Sequence, residues 1–141
     1  GNIAPGAGGF IDITTTAKTV IFCSTFTGGG LATEFGKDGV KIVTEGKFKK
    51  LVKKVKQISY NGKIAHENGQ KMLFVTERAV FEMTDKGPML IEIAKGLDLQ
   101  KDILDQMEFT PLISDNLKEI PDFIYNKGSY GLKNLLIEKE K

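Results

Sequence analysis

The hydrophobic pattern of this chain is mostly that of strands. Val20-Ile21-Phe22-Cys23, within Thr19 to Ser24, is a continuous apolar run bounded by polar residues, and its length suits a strand buried on both faces. Gly28-Gly29-Gly30 breaks the chain after it, and Gly36 and Gly39 mark a turn before a second short strand at Val40 to Val43. Between Lys71 and Ala94 the pattern predicts consecutive strands: Met72 to Val75, Ala79 to Met83, then Met89 to Ile93 after a turn at Asp85-Lys86-Gly87-Pro88. Asn61-Gly62 and Asn68-Gly69 read as turns.

Helical spacing shows in three places. Phe48, Leu51, Val52 and Val55 recur as on a helix face, although Ile58 and Tyr60 then alternate as in a strand. Asp98 is a good N-cap for a helix over Leu99 to Met107, with Leu99, Ile103 and Met107 on one side. Asn116 with Glu119 three residues on suggests a further helix start. Leu132 to Ile137 is apolar enough to dock, whereas Glu138 to Lys141 is all charge, so residues 126–141 read as a terminal tail. With no internal repeat and no linker, residues 1–141 form one segment of α/β class.

Composition narrows the function classes. The chain has 141 residues, 40% apolar and 27% charged, which is globular composition, and a net charge of only +2 argues against a nucleic-acid partner. No run approaches the ~20 apolar residues that span a bilayer, so no membrane partner is expected. Cys23 is the only cysteine, which precludes an internal disulfide and favours a cytoplasmic location. Its apolar surroundings suggest a small buried hydrophobe. His66 is the only histidine, so a Cys–His nucleophilic pair requires these two to meet, and a multi-histidine metal site is excluded; no metal is expected. Gly1 to Phe10 lack a basic n-region, an apolar h-region and an initiator Met, so the chain is expected to begin inside a longer protein.

The candidate chemistry lies first in Gly6-Ala7-Gly8-Gly9-Phe10-Ile11-Asp12. Ile11 fills the place of the third glycine of a dinucleotide loop, and the Gly-Lys-Ser/Thr ending of a P-loop is absent. Glycines without Cβ let consecutive N–H groups approach an anion or oxyanion; a plain tight turn is the competing reading. Six lysines between Lys47 and Lys56 suggest either a site for phosphate or acidic partners or simply a solvated face. Arg78, the only arginine, is suited to a phosphate, a partner domain or an ion pair with a carboxylate. Glu82 and Glu92 fall on neighbouring predicted strands, with nothing to mark them as an acid–base pair.

Several segments in register carry a resemblance. Gly6-Ala7-Gly8-Gly9-Phe10-Ile11-Asp12-Ile13, Ala17-Lys18, Val20-Ile21-Phe22 and Thr25-Phe26-Thr27-Gly28-Gly29-Gly30-Leu31 are followed by Thr76-Glu77-Arg78-Ala79-Val80-Phe81-Glu82. Glu92-Ile93-Ala94, Gly96, Leu97-Asp98-Leu99, Asp102-Ile103-Leu104 and Met107-Glu108-Phe109 complete the set. From about Gly6 to Pro111 the chain resembles the acetate- and propionate-type family I CoA transferases. It departs from their pattern at Lys95, usually proline, at Ser24, usually glycine, and at Gly28, usually alanine.

The resemblance implies the C-terminal part of the second of two related α/β domains, a mixed sheet with flanking helices that is incomplete here. It implies a reaction in which a glutamate attacks an acyl-CoA thioester and a glutamyl-CoA intermediate passes CoA to a carboxylic acid. Gly8 or Gly9 would supply a backbone oxyanion donor, and Gly6, Gly28 and Gly29 would lie against CoA, which is a substrate. Glu67, in His66-Glu67-Asn68-Gly69, resembles the family's catalytic Glu-Asn-Gly but stands downstream of the glycine loop, so the nucleophile is expected upstream of this segment. The implied partners are an acyl-CoA, a short-chain carboxylate, and the N-terminal remainder of the enzyme or a complementary subunit. An incomplete sheet edge also favours a homo-oligomer. The competing reading is a non-enzymatic CoA-transferase-like binding or assembly module.

Overall fold

A computed structural model describes residues 8–55 and 58–125. Helix α1 (Phe10–Thr16) leads into β1 (Thr19–Cys23), followed by β2 (Thr27–Gly28), β3 (Ala32–Gly36), β4 (Gly39–Thr44) and β5 (Phe48–Lys49). Helix α2 (Gly62–Glu67) precedes β6 (Lys71–Val75), β7 (Ala79–Thr84), β8 (Gly87–Ile93) and β9 (Leu112–Glu119). The main sheet has the order β1-β6-β7-β8-β9, while β2–β5 and β3–β4 form separate antiparallel ribbons. β1 and β6 are parallel, β7 is antiparallel to both its neighbours, and β8 and β9 are parallel. Four strands therefore share one direction, and their carboxyl ends lie on the same side of the sheet.

Register aligns one apolar row across the sheet: Phe22 opposite Phe74, Phe74 opposite Phe81, and Phe81 opposite Leu90. Leu90 and Phe81 are buried, whereas Phe74 and Phe22 are only half-buried, so cover thins towards β1. Phe26, Ile103 and Met107 close this face over the middle strands, with Leu51 and Phe109 at its margin. The opposite face carries Val80, Ala94 and Ile120, packed under Val40 and Ile42 of the β3–β4 hairpin. Gly39 makes that hairpin's approach possible. It has φ +95°, and a Cβ placed there would lie 2.0 Å from the Lys95 carbonyl oxygen, which accepts the Val40 N–H at 2.9 Å.

Several expectations need correction. Lys47 to Val55 is not a helix: Phe48 and Lys49 form β5, and Leu51 is instead pinned across the chain by the Glu108 N–H, 3.0 Å from its carbonyl oxygen. Asn116 starts no helix but lies inside β9, where pairing with β8 outweighs the local capping pattern. Asn61-Gly62 begins α2 rather than a turn, since the Asn61 side chain accepts from the N–H groups of Lys63 and Ile64. Asp98 does cap its segment through the Lys101 N–H at 2.7 Å, but the segment is a π-turn, Leu99–Ile103, succeeded by a 3₁₀ turn, Leu104–Gln106. β1, at the edge of the sheet among the described residues, is fully buried on neither face; Ile21 is 55% exposed and Cys23 is exposed, contrary to its expected burial. Gly6, Lys56 and residues 126–141 lie outside the described residues.

Candidate active-site edge

Two glycine segments flank the carboxyl end of β1. Gly9 is the N-cap of α1, and its carbonyl oxygen accepts the Ile13 N–H at 3.0 Å. Phe10, the next residue, packs its ring 5.9 Å from that of Phe22, one residue from the end of β1. This contact carries Gly8 and Gly9 towards the end of β1 from which Ser24 to Gly28 leave. In open α/β sheets, loops at the carboxyl ends of parallel strands are where ligands bind. Gly8 has φ +54° with open space around its Cβ direction, and a Cβ on Gly9 would meet only Ile13 Cδ1 at 3.8 Å. Both are exposed.

Gly28 and Gly29 stand in a different setting. Gly28 pairs with Phe48 in the β2–β5 ribbon, and a Cβ on Gly29, at φ +80°, would lie 2.6 Å from the Phe48 ring. Both segments thus sit at the same end of β1.

The loop between β6 and β7 supplies the most deeply buried polar group at this edge. Arg78 is fully buried; its Nη1 and Nη2 donate to the Glu45 carboxylate at 2.8 and 3.1 Å. Its Nε donates to Glu77 Oε1 at 2.8 Å, Nη1 also donates to the Asp102 carbonyl oxygen at 2.9 Å, and its guanidinium lies 4.9 Å from the Phe26 ring centroid. The two carboxylates turn outward onto the β1–β2 connection. Glu77 Oε2 accepts the Phe26 N–H at 2.8 Å, and Glu45 Oε1 accepts the Thr27 hydroxyl and the Gly46 N–H. Burial raises the Glu45 carboxyl pKa, but donors from Arg78, Thr27 and Gly46, with the charge of Arg78, outweigh it and hold the group below its ordinary range. Burial likewise opposes the charge on Arg78, and Glu45 and Glu77 more than restore it. Of the three roles open to Arg78, the structure realises the ion pair.

The remaining candidates are apart. Cys23 ends β1, whereas His66 lies on α2, ahead of β6; the register of Thr19 with Lys71 puts that helix at the opposite end of the sheet, so no Cys–His pair forms. Glu67 ends α2, with an exposed side chain 4.0 Å from Lys63. Glu82 faces Met89 and Glu92 faces Val80 across the β7–β8 ladder, so those carboxylates are not partners. Lys49 donates to the carbonyl oxygens of Asp105 and Met107, and Lys50 donates to the Thr25 hydroxyl at 2.7 Å; Lys47, Lys53 and Lys54 are exposed. Among the described residues no cluster of three or more His, Cys, Asp or Glu is placed to hold a metal, and no helix is long and apolar enough to cross a membrane. Sequence reasoning missed Glu45; its one signal was the need of a lone arginine for a second carboxylate besides the adjacent Glu77.

No family model matches the chain. It is 48% identical over 126 residues to acetate CoA-transferase YdiF of Escherichia coli O157:H7, and equally to that of strain K12, covering 89% of this chain. It is 44% identical over 136 residues to caffeate CoA-transferase of Acetobacterium woodii, covering 96% of this chain. The crystal structure of the E. coli O157:H7 acyl-CoA transferase apoenzyme superposes with a TM-score of 0.87 over 89% of this chain, and that of its thioester complex with CoA with 0.86. This chain is homologous to a segment of these CoA-transferases. It spans 24% of the length of the two YdiF proteins and 26% of the caffeate enzyme. The mixed sheet with flanking helices is therefore part of the CoA-transferase fold.

Proposed function

We propose that residues 1–141 form the C-terminal part of the second domain of a cytoplasmic, homo-oligomeric CoA-transferase whose complete polypeptide, or a complementary subunit, supplies the nucleophilic glutamate. That carboxylate attacks the thioester carbonyl of an acyl-CoA; the C–S bond breaks, and an acyl-glutamyl anhydride and CoA thiolate result. The thiolate then attacks the glutamyl carbonyl, giving glutamyl-CoA and the free carboxylate, and a second, short-chain carboxylate reverses the sequence. Each tetrahedral state places negative charge on a carbonyl oxygen, where a preoriented backbone N–H is most effective.

In this reading Gly8 or Gly9 supplies that N–H, and Gly6, Gly28 and Gly29 let the backbone lie against CoA. What carries the reading is the 48% identity to acetate CoA-transferase, taken with the open glycine segment at the start of α1. No metal is required by any step. The test is kinetic: the complete polypeptide, given acetyl-CoA and a second carboxylate, should show ping-pong kinetics with parallel double-reciprocal lines. Absence of CoA transfer with every short-chain carboxylate tried contradicts the proposal.

A further inference from the structure

We propose that Arg78, acting through Glu45 and Glu77, is the positioning residue that fixes the backbone of Phe26 to Gly29 for contact with the CoA portion of the substrate. The inference rests on the functional reading above, which puts Gly28 and Gly29 against CoA.

A guanidinium buried only for stability needs a carboxylate and a packing surface, and Glu77 with the Phe26 ring would provide both. The observed arrangement goes further. Glu77 gives Oε1 to Arg78 and Oε2 to this short stretch of chain, whereas Glu45 pairs with Arg78 through both oxygens and its Oε1 also accepts from that stretch. Glu77 holds the Phe26 N–H at 2.8 Å. Glu45 holds the Thr27 hydroxyl and, through the Gly46 N–H at 2.9 Å, the chain crossing behind it. The Thr27 hydroxyl also accepts the Gly46 N–H at 3.2 Å. Gly46 itself is pressed against the segment, since a Cβ there would lie 2.5 Å from the Thr27 hydroxyl oxygen and 2.6 Å from the Gly28 carbonyl oxygen. Arg78, Phe26 and Thr27 are fully buried, whereas Gly28 is half-buried and Gly29 exposed. The clamp therefore grips the buried half of the segment and leaves its glycine end facing outward. Arginine suits this task because its planar fork engages two carboxylates at once, which a lysine ammonium does not do with the same geometry.

The test compares wild type, Thr27→Val, Glu45→Gln and Arg78→Lys in the complete polypeptide. Thr27→Val is the decisive variant because it is nearly isosteric and leaves the Arg78–Glu45 pair intact. Loss of a charged hydrogen bond on the clamp should raise KM for acyl-CoA by about tenfold, with kcat changed less than about twofold. Amide exchange in a peptide covering Phe26 to Gly30 should rise relative to the β7–β8 strands. A uniform fall in thermal stability with wild-type KM and no local rise in exchange overturns the positioning role and leaves Arg78 a purely structural residue. If wild type itself transfers no CoA, the functional reading fails separately, and the inferred contact with CoA fails with it. The exchange comparison then decides only whether the clamp orders the segment.

Discussion

Arg78 and Glu45 meet fork to fork, with two hydrogen bonds of 2.8 and 3.1 Å, although they stand 33 positions apart in the chain. The guanidinium is 0% exposed and the carboxylate 31% exposed. The pair thus joins the buried turn between β6 and β7 to the partly open end of β4, and both to the strand that carries Gly28.

Replacing Arg78 with Met should destabilise the chain strongly. The substitution keeps much of the packing volume but leaves Glu45 and Glu77 without their common cation. Removing one partner of a buried pair costs about 3–5 kcal/mol. Urea unfolding followed by circular dichroism checks this; a loss below about 1 kcal/mol, the range of exposed pairs, contradicts it.

Glu45 also makes stability depend on pH. Its carboxyl titrates lower in the folded chain than in the unfolded one, so the folded state favours the charged form. That contribution is complete above the ordinary value of 4.5 and disappears as pH falls from there through the lowered native value. Glu45→Gln should therefore be less stable than wild type at neutral pH, and the difference should narrow as pH falls below 4.5. Thermal melts at pH 7 and at progressively lower pH check the narrowing.

Two glycines with positive φ should respond differently to alanine. At Gly39 the new Cβ would lie 2.0 Å from a backbone oxygen of Lys95, whereas at Gly69, with φ +73°, it meets nothing within 4 Å. Gly69→Ala should cost only the left-handed backbone penalty, about 1–2 kcal/mol. Gly39→Ala adds displacement of the hairpin and should cost about 1–3 kcal/mol more. Equal losses for the two would contradict the hairpin packing.

Gly9→Ala separates activity from stability. The backbone there has φ −77°, which alanine adopts freely, and the nearest contact, Ile13 at 3.8 Å, is ordinary. Stability should fall by less than about 1 kcal/mol. If the backbone must approach the oxyanion closely, turnover in the complete polypeptide should fall by about 10²-fold, the scale of a lost donor. Alanine keeps the backbone N–H, so unchanged turnover contradicts close approach of the substrate to the Gly9 Cα.

The strands were legible where apolar runs were short and bounded: β1, β4, β6, β7 and β8 all coincide with such runs. β9 was not, because Asn116 and Glu119 imitate a capping box while its pairing with β8 comes from residues far away in sequence. The same reason hid the path of Lys47 to Val55, whose helical spacing is local but whose anchor, Glu108, is distant. Cys23 is exposed despite its apolar run, because such a run does not say what covers the faces of its strand. In the candidate site, the glycine run of Gly6 to Gly9 stood out in the sequence but left a turn and an anion cradle equally open, its proposed role coming from the resemblance alone, and the lone arginine invited a search for a carboxylate. Glu45 could not be chosen among many acids until β4 and the β6–β7 turn were brought together.

The nucleophilic glutamate is proposed to lie outside this chain, and trapping the covalent intermediate tests that most directly. The complete polypeptide is incubated with acetyl-CoA, reduced with borohydride, digested and examined by mass spectrometry. The proposal predicts one reduced glutamate, outside residues 1–141 and on their N-terminal side or in a complementary subunit. Modification of Glu67, or of any other glutamate in this chain, contradicts it.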